Sequence, residues 1–262
     1  MPPSKLPLEI EETILNFLAG DNKGHSALKV CSPVCQAFLH ICRKHIFGNI
    51  VLDGNGRYSL RHAFECLLRE TPEIADYIRK LDFGIRDEDL TNPSIQESLK
   101  RISKVEFLTV RPHCWNFEWN NNPIRPALLH LLHLPTLTHF TMVGINHFVV
   151  SDLIHCINLK YLKISDRTTV ADETTFPAVF SEHSIQLNEF VVGKGDVAPI
   201  IMKLCTARRP DGQPIINFES LPKITVIFHH GSHGDLNDET LRACVELFRH
   251  CPFLTNVHIN CK

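Results

Sequence analysis

The residues best equipped for chemistry are histidines and cysteines, and they fall in two clusters. Cys31, Cys35 and Cys42 share a short stretch with His25, His40 and His45. Thiolate and imidazole are the usual zinc ligands, but the first two cysteines are spaced C-x-x-x-C with Pro33 between them, unlike a zinc knuckle. They sit at apolar helical positions, where a free thiol packs as a small hydrophobe. The second cluster is His229-His230-Gly231-Ser232-His233, with only Asp235 near enough to complete a metal site. Clusters of this kind are more often solvated loops. Gly193-Lys194-Gly195 is too short for a phosphate loop, and Ser32, Ser151 and Ser181 lack a nucleophile-elbow context. The residues therefore point to no enzyme, no metal and no cofactor. Whatever the chain does, it does by binding.

The bulk properties agree. The chain has 262 residues, 44% of them hydrophobic, and a net charge of −2. That is enough apolar material for one or two domains, and nothing in the charge argues for a nucleic-acid or membrane surface. No run approaches the ~18 apolar residues of a membrane span. The first residues, MPPSKLPLE, contain no apolar signal-peptide core. Ten cysteines without such a signal read as reduced thiols rather than a disulfide scaffold. These features place the chain in the cytoplasm or nucleus.

The elements that must position a binding surface begin at Leu6–Phe47, which reads as three short helices. Pro7 suits a first helical position, and Glu9, Glu11 and Glu12 suit the positive end of a helix dipole. Ile10, Ile14, Leu15, Phe17 and Leu18 recur at helical spacing, and Gly20 is a natural stop. Ser26 has the chemistry of an N-cap for a second helix to Cys31. Ser32-Pro33 then breaks the helix, and a third one is expected from Pro33 to about His45.

The order of these elements resembles the F-box, in the form common among fungal F-box-like proteins. The resemblance rests on Leu6-Pro7-x-Glu9-Ile10, Ile14-Leu15-x-x-Leu18, Leu28-Lys29-Val30-Cys31-Ser32-x-Val34-Cys35 and His45-Ile46-Phe47. It covers about a sixth of the chain. Phe38 stands where the family usually has tryptophan, so an aromatic anchor is kept and an indole N–H is lost. The resemblance implies docking onto a Skp-type adaptor, and through it onto a cullin-RING ubiquitin ligase. The residues expected at that contact are Leu6, Pro7, Ile10, Ile14, Leu15, Leu18, Val34 and Phe38. Each Leu or Ile buried at such a partner contributes roughly 1.5–3 kcal/mol before ordering costs.

Residues 48–76 read as a connector, with a short strand at Ile50-Val51-Leu52 and a helix capped by Ser59. From residue 77 a unit h-x-x-h-x-h recurs, h being apolar. It appears as Ile78/Leu81/Phe83, Val105/Leu108/Val110, Leu137/Phe140/Met142, Leu159/Leu162/Ile164, Leu187/Phe190/Val192, Leu221/Ile224/Val226 and Leu254/Val257/Ile259. Successive units lie 22 to 34 residues apart, around and somewhat above the leucine-rich-repeat period of about 20–29. Helix-like segments at 125–133, 148–156, 197–206 and 238–250 separate them, which predicts a parallel sheet with helices behind it. Cys156-x-x-Leu159 and Cys251-x-x-Leu254 resemble the cysteine-containing class of leucine-rich repeat, although the usual asparagine after the strand is missing. The expected fold is thus α/β: an F-box-like helical module (1–47), a connector (48–76), and an irregular leucine-rich-repeat-like solenoid with a parallel sheet (77–262).

Alternation along each strand turns the residues between the h positions to the opposite, concave face. There Phe107, His139, Tyr161, Lys163 and Glu189 are the expected contacts to a target protein. The loop Trp115-Asn116-Phe117-Glu118-Trp119 either packs beneath a helix or reaches toward a partner. Together these features predict a non-catalytic, substrate-recognition subunit of a Skp–cullin–F-box ubiquitin ligase. The alternative is a repeat-based interaction scaffold in which the N-terminal helices merely cap the array.

Overall fold

The computed structural model describes residues 7–21, 24–52, 58–114, 117–120, 122–165, 168–171, 183–193, 198–228 and 238–261. The chain starts with three helices, α1 (Leu8–Ala19), α2 (Gly24–Cys31) and α3 (Gln36–Phe47). Pro7 stands just before α1 rather than inside it. The second helix begins at Gly24, ahead of Ser26, and the third begins at Gln36 rather than Pro33. Cys35 caps α3, its sulfur accepting from the Phe38 N–H at 3.5 Å.

Strands and helices then alternate. In order they are β1 (Asn49–Leu52), α4 (Tyr58–Glu70), β2 (Lys80–Ile85), α5 (Asp87–Thr91), α6 (Pro93–Lys100), β3 (Phe107–Pro112), α7 (Arg125–Leu132), β4 (His139–Val143) and β5 (Tyr161–Ser165). They continue with β6 (Ile185–Gln186), β7 (Glu189–Gly193), α8 (Ala198–Thr206), β8 (Ile216–Asn217), β9 (Lys223–Phe228), α9 (Asp238–Arg249) and β10 (Asn256–Cys261). Short 3-10 helices at Pro72–Tyr77 and Val150–His155 fill parts of two of the crossovers.

Among the described residues one sheet has eight strands, in the order β1-β2-β3-β4-β5-β7-β9-β10, all parallel. Spatial order follows chain order. The two-residue strands β6 and β8 pair separately. Parallel neighbours need a crossover of a dozen or more residues, and the intervening helices supply it. Residues 48–76, expected as a connector, contribute the first strand and helix of this alternation. β1 pairs with β2 from Asn49↔Lys80 to Leu52↔Phe83.

The core lies between the sheet and the helices. Leu81 and Phe83, Leu108 and Val110, Phe140 and Met142, Leu162 and Ile164, and Ile224 and Val226 all turn inward and are buried. They meet Ile95 and Leu99 of α6, Leu128 and Leu131 of α7, Leu153, Ile201 and Leu204 of α8, and Leu247 of α9, in one continuous cluster. The last unit departs from expectation. Val257 and Ile259 are exposed, because β10 is an edge strand and no described element covers its apolar side.

Polar side chains just ahead of the strands stitch each unit to the one before. Thr136 donates to the Val105 carbonyl at 2.8 Å, Asn158 to Pro135 at 2.8 Å and Thr255 to Pro222 at 3.0 Å. Cys156, fully buried, gives its thiol hydrogen to the Leu132 carbonyl at 3.3 Å. The aromatic loop packs inward: Phe117 and Trp119 are buried, and the Trp119 indole donates to Asp152 at 2.6 Å. Trp115 lies outside the described residues, as does the 229–233 histidine cluster.

Candidate interaction surfaces

The N-terminal helices have a small core of their own. Leu15, Leu28, Ile41 and Cys42 are buried together, with Leu18, Cys31, Phe38 and Ile46 packed around them. This cluster is separate from the sheet's core. It is fastened to the sheet by α3, which runs into β1 through Gly48 alone. Arg43 pairs with Glu73 at 3.3 Å, and His40 shares a hydrogen bond with the Tyr77 hydroxyl at 2.9 Å. Burial pushes the Cys42 thiol above its ordinary pKa, so it behaves as a hydrophobe and not as a nucleophile.

The opposite sides of α1 and α2, with the turn that follows α2, are apolar and open. Phe17 is 83% exposed, Val30 75%, Val34 68% and Ile14 44%, and Ile10 is exposed as well. Ile10, Ile14 and Phe17 stand at i, i+4 and i+7, on one stripe of α1. Single exposed apolar residues are ordinary, but a stripe of them with its own supporting core is not. The expected contact residues therefore divide. Pro7, Ile10, Ile14 and Val34 are exposed; Leu18 and Phe38 are partly buried; Leu6 lies outside the described residues. Leu15 is wholly buried, because α1 turns it toward Leu28 and Ile41, so in this structure it supports the surface instead of forming it. Phe17 and Val30, absent from the expected contacts, are the most exposed of the set.

The second surface is the sheet face turned away from the helices. Parallel register aligns the first outward residue of each strand into one row: Lys80, Phe107, His139, Tyr161, Glu189, Lys223 and Asn256. Side chains from Lys80 to Tyr161 touch in sequence, and so do those of Glu189 and Lys223. The Lys80 ammonium lies 4.7 Å above the Phe107 ring. Phe107 and His139 stack with centroids 4.1 Å apart, and His139 and Tyr161 stack at 5.4 Å. Glu189 and Lys223 pair at 2.9 Å. Burial and the nearby Lys80 charge lower the His139 pKa, which favours a neutral imidazole within the stack. Burial and Glu189 raise that of Tyr161, which keeps its phenol protonated. Lys163 belongs to the second row, with Asp82, Thr109, Thr141 and Val191. Val191, between the inward Phe190 and Val192, alternates onto this face, where exposure is the expectation. It is 6% exposed, a short side chain enclosed midway along its row.

The remaining titratable clusters serve structure. Asp152 receives Trp119 and also the Arg125 guanidinium, the latter at 2.8 Å. No group of three metal-ligating side chains is found among the described residues. No described helix is long and apolar enough to cross a membrane. In comparisons with known proteins, no family model matches the chain and no curated protein matches it.

Proposed function

We propose that the chain is a non-catalytic recognition subunit of a Skp–cullin–F-box ubiquitin ligase, acting in the cytoplasm or nucleus. On this reading α1–α3 form an F-box-like module, and the strand–helix alternation is an irregular leucine-rich-repeat-like solenoid. The observation that carries it is the stripe Ile10, Ile14 and Phe17, which stays open to solvent while the module keeps a separate core. Residues that only capped the sheet would turn their apolar side toward it. Burying that stripe against the helices of a Skp-type adaptor would remove apolar area from water, at roughly 25 cal/mol per Å². The outward row of the sheet would hold the target protein, with the aromatic residues as anchors. Catalysis would be by proximity: tethering raises the effective concentration of target lysines near the charged conjugating enzyme.

Affinity purification of the full chain from cells, with mass spectrometry, tests this reading. Recovery of a Skp-type adaptor together with a cullin is expected, and recovery of neither overturns it. The second reading is an interaction scaffold with no ligase role. What favours it is α3, whose Arg43 and His40 hold the short helix Pro72–Tyr77 of the first crossover as an end-cap would. It predicts bound partners without adaptor or cullin.

A further inference from the structure

A cavity of about 380 Å³ opens on the outward face of the sheet, one to two rows beyond the aromatic stack. Its size falls within the range of pockets that take a ligand or a single anchored side chain. Lys163 and the hydroxyls of Thr109, Thr141 and Ser165 line it, and Tyr161 links it to the stack. Ile227 closes one side, reaching across Gly193 of the intervening strand. A Cβ at Gly193 would collide with the Ile227 carbonyl oxygen and its Cβ, so the lining depends on glycine there.

The polar groups of this cavity are unusual in being unspent. Elsewhere the outward or flanking hydroxyls of Thr136, Thr138, Thr168, Thr206 and Thr255 donate to backbone carbonyls. Among the described residues, those of Thr109, Thr141 and Ser165 have no hydrogen-bond partner and Lys163 has no carboxylate partner. Arg111, also in the lining, is already paired with Asp82. The cavity therefore offers one uncompensated positive charge and three hydroxyl donors beside an aromatic wall. A single carboxylate matches that set in charge and in hydrogen-bonding capacity. A phosphate dianion would leave its second charge unmatched, with Asp82 nearby.

Resting on the reading of this face as a protein-binding surface, we infer that the cavity takes the carboxylate of a glutamate or aspartate in an extended target segment. An aromatic or apolar residue of the same segment lies on the Phe107–His139–Tyr161 stack. Lys163 stands one row from the stack, two residues along its strand and on the order of 7 Å away, so the two anchors sit about two positions apart in the target.

The test uses the full chain and arrayed peptides of otherwise degenerate sequence. Each carries phenylalanine and, two residues on, glutamate, glutamine or phosphoserine. Glutamate peptides are expected to bind about tenfold or more tightly than glutamine peptides, and no more weakly than phosphoserine peptides. Lys163→Gln removes that preference with an unchanged circular dichroism spectrum, whereas Lys104→Gln, away from the cavity, keeps it. Equal binding of glutamate and glutamine, selection of phosphoserine alone, a preference that survives Lys163→Gln, or no binding at all overturns the assignment. Adaptor capture depends on α1–α3 and is measured separately, so failure here is distinguishable from failure of the ligase reading.

Discussion

Phe107 and His139 come from neighbouring strands and stack face to face, with ring centroids 4.1 Å apart and planes 26° from parallel. The contact is a direct product of parallel register, since both residues occupy the same place in their repeat unit. His139 stacks on Tyr161 as well, so it is the middle of three. Replacing it with alanine should remove two ring contacts, at about 0.5–1.5 kcal/mol each. Urea unfolding should show this as a lower midpoint with an unchanged slope. Capture of any target protein should fall in parallel.

Arg61 and Asp89 form an ion pair shut off from water, at 6% and 1% exposure. Arg61 also donates to the Leu52 and Gly84 carbonyls and lies 5.0 Å over the Phe83 ring. Asp89 accepts from the Arg86 N–H at 2.7 Å. The pair thus joins α4, the first two strands and α5. Removing one partner strands the other charge, so Asp89→Ala should cost about 3–5 kcal/mol. The double variant Arg61→Met with Asp89→Leu should recover much of that loss in the same unfolding experiment.

Burial lowers the pKa of His133 below its ordinary value, helped by neighbouring His155 and Arg125 and opposed by the Asp152 carbonyl and carboxylate. His133 is then neutral in the fold and protonates more readily when the chain unfolds. Its contribution to stability is complete above about pH 6.5 and is lost as the pH falls below that value. His139 is shifted in the same direction. Melting temperature should therefore drop between neutral pH and about pH 5. His133→Gln, which keeps a donor for the Asp152 carbonyl, should make the drop shallower.

The helical module rests on very few buried side chains, and Leu15 is central among them. Leu15→Ala should cost about 2–5 kcal/mol locally. Hydrogen exchange should then show α1–α3 losing protection while β3, β4 and β5 keep theirs. Uniform loss across the sheet would mean that the two cores behave as one.

The inward residues of the sheet were legible in the sequence because a strand buried on one side repeats with period two. Leu108 and Val110, or Leu162 and Ile164, declare themselves. The stack was legible for the same reason, since Phe107, His139 and Tyr161 hold equivalent places in the repeat. The contacts of the N-terminal helices were harder. α1 carries apolar residues on two sides, and periodicity alone does not say that Leu15 turns to its own core while Phe17 turns to solvent. The α5–α6 turn was missed although Asn92 and Pro93 signal a helix start; the Asn92 side chain accepts from the Ser94 N–H at 2.9 Å. Its run of acidic residues reads as a polar loop, and only burial of Asp89 against Arg61 gives it a place. Long-range bonds such as Trp119 to Asp152, 33 residues apart, leave no local trace. The exposure of Val257 and Ile259 is likewise set by what covers a strand, not by the strand's own residues.

The central claim is that the open stripe of α1 docks a Skp-type adaptor. Binding of the purified full chain to a purified adaptor, by titration calorimetry, addresses it most directly. The account predicts a complex with the unaltered chain and loss of that complex in Ile14→Asp combined with Phe17→Asp, both variants sharing the same unfolding midpoint for the sheet. No association of the unaltered chain, or equal association of the doubly substituted one, would contradict it.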